Sequence, residues 1–236
     1  MSIEQLTAVI LCGGKGTRLK DVVSDRPKPM AKINDRPFLD ILIEHLFGAG
    51  IKDVVLCTGF MSDFIRGHYD NTNIVISEEK KPLGTAGAIK NARHLIKNSP
   101  FFVLNGDSFC EVDLAGMYTF HKSKKALASI VLSRSGSSTE SGSVVINGES
   151  RITGFSEKSK TGGQGYFNAG IYLFEKPLLD SIPENTVYSL EYDVFPKIKD
   201  GIFGYVTKEE FLDIGTKERY FKAKDILKAR TANDQH

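Results

Sequence analysis

The feature that most narrows what this chain can fold into is an alternation that runs through its first half. Four short, β-branched apolar runs read as buried strands: "TAVILC" (7 to 12), "DVVLCTG" (53 to 59), "NIVIS" (73 to 77) and "FFVLNGD" (101 to 107), each bounded by Gly, Asn or Asp. Helical patterns lie between them. In "PFLDILIEHLFGAG", Phe38, Ile41, Leu42 and Leu46 fall on one face, Pro37 suits a first turn, and Gly48 and Gly50 supply a stop. A second helix is expected over "TAGAIKNARHLI" (85 to 96), with Thr85 as its N-cap. Strand, helix, strand repetition predicts a parallel sheet covered on both faces, with ligands at the carboxyl ends of its strands.

The second half changes character. "ALASIVLS" (126 to 133), "GSVVI" (142 to 146), "RITGFSEK" (151 to 158) and "YFNAGIYLF" (166 to 174) are strand-like with few helices between them, which predicts a mixed-sheet extension. "SRSGSSTESGS" (133 to 143) and "KSKTGGQG" (158 to 165) read as surface loops. No linker separates two domains, and 236 residues with 41% hydrophobic content can bury one substantial core.

With 31 basic and 29 acidic residues spread along the chain, there is no electrostatic footprint for nucleic acid, so any anion site must be local. Cys12, Cys57 and Cys110 are far apart, without CxxC spacing, and read as buried structural thiols in a reducing compartment. "MSIEQLTAVILCGG" has no basic region ahead of its apolar run, and that run is too short to span a membrane; a soluble, cytoplasmic protein with no membrane partner is expected.

"LCGGKGTRL" (11 to 19) follows the first strand and has the composition of a phosphate loop, since bare backbone N–H groups can approach an anion. It is neither familiar type: no Gly-Lys-Ser/Thr closes it, and Leu19 occupies the third glycine position of a dinucleotide fingerprint. Lys15 and Arg18 are its cations. In "SDRPKPMAKI", Pro27 and Pro29 are expected to hold Lys28 extended, as a second phosphate cation or a solvated turn. "KKPLGTAGA" brings Gly84, Thr85 and Gly87 to a helix start, either as a plain cap or as a flat surface of open N–H groups for a nucleobase or ribose. Asp107 in "VLNGDSF" and Asp213 in "FLDIGT" are turn or cap residues singly, and together an oxygen site for Mg²⁺. Glu157 and Lys158 in "FSEK" with Asn168 and Gly170 in "FNAG" suit sugar hydroxyls and a phosphate, or are strand-edge groups. No histidine falls in a motif.

The series "LCGGKGTRL", "RPKPM", "PLGTAGA", "NGD", "EK", "NAG" and "DIGT", in that order, resembles the sugar-1-phosphate nucleotidyltransferases (NDP-sugar pyrophosphorylases) over about residues 7 to 220. The resemblance implies an α/β fold, a Rossmann-like nucleotidyltransferase three-layer sandwich with a mostly parallel mixed sheet. It implies one domain over 1 to 236, with a nucleotide-binding half to about 110 and a sugar-phosphate half from about 111 to 225. Within the family the chain looks most like short guanylyltransferases of D-glycero-α-D-manno-heptose 1-phosphate or mannose 1-phosphate. Uridylyl-, thymidylyl- or cytidylyltransferases of the same fold, or a non-catalytic sugar-nucleotide-binding regulator, stand as alternatives. Carried over by position, Leu11, Gly13, Gly14, Gly16, Thr17, Gly84 and Thr85 bind the nucleotide, and Arg18, Lys28 and Asp107 are catalytic. Asp107 and Asp213 hold Mg²⁺, while Gly106, Glu157, Lys158, Asn168 and Gly170 bind the sugar phosphate. The implied substrates are a nucleoside triphosphate and a sugar 1-phosphate; a homodimer stays open. Glu78 and Glu79 stand just ahead of "KKPLG", and an ionised carboxylate accepts the adjacent N1–H and N2–H₂ donors of guanine, which favours GTP and Glu79 as base reader.

Overall fold

The computed structural model describes residues 2–134, 143–156 and 165–233. The "TAVIL" run forms β1 (Thr7–Leu11) and leads through a short hairpin, β2 (Lys32–Ile33) and β3 (Arg36–Pro37), into α1 (Phe38–Gly48). Pro37 thus precedes the helix instead of sitting in its first turn. Gly50, at φ 86°, ends it, with Gly50 N–H donating to Phe47 O and Ile51 N–H to Leu46 O. Next come β4 (Asp53–Thr58), α2 (Ser62–His68), β5 (Val75–Glu78), α3 (Gly84–Asn91), β6 (Phe101–Asn105), β7 (Ser108–Cys110) and α4 (Leu114–Lys124). The remainder is β8 (Ala128–Ser133), β9 (Ser143–Ile146), β10 (Ile152–Ser156), β11 (Tyr166–Phe174), β12 (Ile202–Thr207), β13 (Phe211–Asp213) and α5 (Lys217–Asn233).

The expected architecture is present. β5, β4, β1 and β6 are consecutive parallel neighbours, and β11 joins β6 antiparallel, turning the sheet from parallel to mixed. β8 runs antiparallel to β11 and β12 parallel to β8, so one nine-stranded sheet passes through both halves of the chain. Alternation within each strand feeds two apolar layers. Ala8 and Ile10 of β1 pack with Phe38, Leu42 and Leu46 of α1, Met117 of α4 and Ala223 of α5. Val9 packs on the opposite face with Ala86 and Ile89 of α3 and with Leu190, Val194 and Phe195. Among the described residues no helix is long and apolar enough to cross a membrane. All three cysteines are buried free thiols, with Cys57 pushed up to about 12 by burial.

His121 of α4 is a buried histidine of this core. Its side chain is 1% exposed, Nδ1 lies 2.8 Å from Ser129 Oγ, and Nε2 faces Glu175 Oε1 at 3.6 Å with Lys122 alongside. Burial lowers its pKa to about 4, against the attraction of Glu175. The folded state therefore binds this proton less readily than the unfolded chain, and the stability it contributes is complete above about pH 6.5 and is lost as pH falls toward 4. Urea unfolding across this range is expected to show a loss of up to about 1.4 kcal/mol per pH unit from this residue, which His121→Asn removes. Identical pH profiles for the two proteins would contradict the assignment.

Candidate active site

Four strand ends set the site. Leu11 is the register partner of both Cys57 and Asn105, and Cys57 is that of Ser77, so β5, β4, β1 and β6 finish level. Of the residues that follow, Cys12 to Gly16, Glu79 and Asp107 line a cavity of about 440 Å³ that Lys28, Thr85 and Asn105 also wall.

The glycines of the loop have different physical reasons. A Cβ on Gly13 would fall 2.7 Å from Glu79 Oε1, and one on Gly59 equally close, so two backbones approach one carboxylate. Gly16 adopts φ 58°, and a side chain there would press on Lys28. Gly14 meets nothing and leaves its backbone open to the cavity. Gly106 serves strand packing: its N–H donates to Leu11 O, and a Cβ would lie 2.6 Å from that oxygen. Leu11 lines the cavity, and Thr17 opens a 3-10 turn carrying Arg18.

Glu79 and Glu78 separate by strand alternation. Glu78 leaves the site and pairs with Arg66 at 2.8 Å. Glu79 lines the cavity, where Oε2 accepts the Leu83 N–H at 3.0 Å. Burial raises its pKa, partly offset by that hydrogen bond.

Lys28 does not have the extended backbone expected between prolines. Pro27 is extended, but Lys28 is the first residue of a 3-10 turn (Lys28–Met30), closed by Met30 N–H to Pro27 O and Ala31 N–H to Lys28 O. The turn aims the side chain, 12% exposed, at the cavity, where Nζ pairs with the Asp107 carboxylate.

The start of α3 also differs from expectation. Gly84 is its first residue and Thr85 does not cap it. Instead, Leu190 N–H donates to Thr85 Oγ1, which in turn donates to Glu191. The N–H groups of Ala86 and Gly87 are not left open for a ligand, because both donate to Tyr188 O. Gly84 (φ 72°) and Gly87 are needed because a Cβ on either would fall 2.6 Å from a carbonyl of the 186–188 segment.

β7 and β13 pair so that Asp213 opposes Ser108, the neighbour of Asp107, and Ile214 N–H donates to Asp107 O. The two aspartates are thereby brought together. Asp213 Oδ1 accepts from Gly215 N–H and from Arg219, while Arg18 comes near the same glycine. Arg219 is not legible in the sequence as a site residue; its signal is an arginine in the first turn of α5, three residues after "DIGT".

On the other side, "NAG" is a bulge in β11. Register with β8 shifts between Asn168 and Tyr172, Gly170 takes φ 70°, and Gly170 N–H donates to Asn168 Oδ1. Asn168 Nδ2 donates to Tyr172 Oη at 3.0 Å, and Tyr172 reaches Glu191. Asn105, Tyr172 and Glu191 were also not singled out from sequence; they are apolar-run or helix positions whose polarity matters only once the bulge exists. Glu157 and Lys158 lie outside the described residues. None of the described histidines lines the cavity.

The chain matches the family model described as "Nucleotidyl transferase" over residues 7–230. It is 36% identical over 223 residues to D-glycero-alpha-D-manno-heptose 1-phosphate guanylyltransferase of Campylobacter jejuni, covering 92% of this chain and 97% of that one. It is also 36% identical over 231 residues to mannose-1-phosphate guanylyltransferase of Mycobacterium tuberculosis, covering 94% of this chain but spanning only 64% of that relative's length. The crystal structure of HddC from Yersinia pseudotuberculosis complexed with GMP-PN superposes with a TM-score of 0.82 at 36% identity, over 94% of this chain and 100% of that one. On these matches, the chain belongs to the nucleotidyl transferase family.

Proposed function

We propose that this protein is a sugar-1-phosphate guanylyltransferase, joining GTP to a manno-configured pyranose 1-phosphate with release of pyrophosphate. D-glycero-α-D-manno-heptose 1-phosphate is the first choice of sugar and mannose 1-phosphate the second; the names of the two relatives share that ring configuration. One observation carries the guanine reading. Glu79 is held between Gly13 and Gly59 by the Leu83 N–H, on the wall of a cavity that also holds Lys28 and Asp107. A carboxylate accepts two adjacent donors, which guanine has and uracil, thymine and cytosine lack.

The reaction is in-line attack of a sugar-phosphate oxygen on the α-phosphorus. A phosphate monoester is largely dianionic at neutral pH, so no general base is needed, in keeping with a cavity without histidine. The barrier is repulsion between anions, overcome by position and countercharge. Lys28, Arg18 and Lys158 supply cations in this reading, and the open backbone of Gly14 lies against the triphosphate. Asp107, in the turn before β7, and Asp213 of β13 offer hard oxygen donors, a set that fits Mg²⁺. When bound, Mg²⁺ would neutralise phosphate charge. Asn168 and Gly170 meet the sugar, and the family resemblance assigns Glu157 to it as well.

Pyrophosphate release with four nucleoside triphosphates against a panel of sugar 1-phosphates tests the reading, with GTP preferred. Glu79→Gln is expected to weaken GTP use and shrink discrimination against UTP by about 1–3 kcal/mol, the cost of mispairing a buried polar group. Wild-type preference for UTP, dTTP or CTP would overturn the guanine reading. Arg18→Ala and Lys28→Ala should each lower kcat/KM by about 100-fold, and Lys15→Ala far less. Equal small losses at all three would remove the loop from the chemistry.

A further inference from the structure

Beside the cavity, a chain of side chains joins α3 to the β11 bulge through Thr85, Glu191, Tyr172 and Asn168. Backbone N–H groups fix which way every hydrogen in it points, because an N–H can only donate. Leu190 N–H donates to Thr85 Oγ1 at 2.8 Å, so the threonine hydrogen turns to Glu191 Oε2 at 3.2 Å. Ser189 Oγ accepts from Glu191 and Tyr192 N–H, at 3.2 and 3.3 Å, and gives its hydrogen to the same Oε2 at 2.9 Å. At the other end, Gly170 N–H at 2.9 Å requires the oxygen of Asn168, which leaves the NH₂ group to face Tyr172 Oη. An amide NH₂ cannot accept, so the hydrogen of Tyr172 is left for Glu191 Oε1, at 3.4 Å. Three hydroxyls thus converge on one carboxylate. Asn105, which lines the cavity, also hydrogen-bonds the Tyr172 hydroxyl. With the Tyr172 hydrogen committed elsewhere, Asn105 too must present its NH₂ there.

From this we infer that Glu191 and Tyr172 are positioning residues. Together with the Gly170 N–H, they keep the Asn168 amide from turning over and hold that of Asn105, and so fix the sense in which the sugar side of the site donates and accepts hydrogen bonds. The inference deepens the sugar-phosphate reading proposed above and rests on it for its consequence. A sugar hydroxyl meeting Asn168 finds one remaining NH₂ hydrogen and one remaining carbonyl lone pair, each in a set direction. Configuration at that hydroxyl is then read by geometry that a freely flipping amide would lose. Tyr172 is fully buried and does not itself line the cavity, so it acts through the amides.

Tyr172→Phe keeps the ring and deletes the relay atom. Glu191→Gln keeps the shape but introduces an NH₂ that can donate to Tyr172 and reverse the direction of the chain. Each is expected to raise the KM for the sugar 1-phosphate about five- to tenfold, to leave the KM for GTP within about twofold, and to narrow the preference between epimeric sugar 1-phosphates. The double variant should lose no more than the larger single loss, because both act through one hydrogen-bond chain. A second readout needs no turnover. Exchange of the Asn168 side-chain amide hydrogens, slow in the wild-type protein, should accelerate at least about tenfold in either variant. Unchanged exchange, or a GTP KM that rises as much as the sugar 1-phosphate KM, overturns the relay. Wild-type protein that turns over no sugar 1-phosphate would instead refute the proposed function, and amide exchange would still decide the relay.

Discussion

The site depends on one geometric constraint: four parallel strands end within one residue of the same row. Parallel pairing leaves no freedom to stagger Leu11, Cys57, Asn105 and Ser77 once β1, β4, β5 and β6 are in register. All four chains therefore leave the sheet at one edge, where residues distant in sequence meet within a few bonds of the last ladder pair. Glu79, one residue past the end of β5, lands between Gly13 and Gly59, each of which follows its own strand within two residues. A side chain at either glycine would evict the carboxylate. The cavity wall is thus a consequence of sheet register, with glycine at the two points where backbone must come close.

The second half of the chain completes the site by two different devices. Antiparallel β11 brings in Asn168 on a bulge, a local irregularity that re-aims one side chain without disturbing the ladder on either side. The short β7–β13 pairing carries Asp213 to Asp107 from more than a hundred residues away. The resulting cluster alternates in sign, with Lys28 against Asp107 and Arg219 against Asp213. Partial burial weakens solvent screening of such pairs. In the proposed reaction, whose difficulty is the mutual repulsion of two phosphates, these pairs would hold cations and carboxylates in place.

Much of this was legible in the sequence, and the exceptions share a cause. The buried strands announced themselves because parallel strands covered on both faces are continuous apolar runs, as in "TAVIL" and "DVVLC". "YFNAGIYLF" keeps its predicted bounds, 166 to 174, as β11. The start of α3 was misread because Thr85 looks like a cap, and only the tertiary packing of residues 186–191 gives its hydroxyl another partner. For the same reason the Ala86 and Gly87 N–H groups, open in a helix considered alone, are satisfied by Tyr188. Lys28 took a 3-10 turn where local steric preference favours extension, because the turn buries Pro29 and Met30 in the core. Tyr172, Glu191 and Arg219 carry no local pattern; each gains meaning from a neighbour supplied by another element.

The central claim is that Glu79 reads the base, and a crystal structure with a non-hydrolysable GTP analogue tests it most directly. The account predicts the Glu79 carboxylate within about 2.7–3.2 Å of both N1 and N2 of guanine, with the triphosphate along the glycine loop toward Lys28. A base bound elsewhere, or one seated in this cavity with Glu79 still more than about 4 Å from N1 and N2, would contradict it.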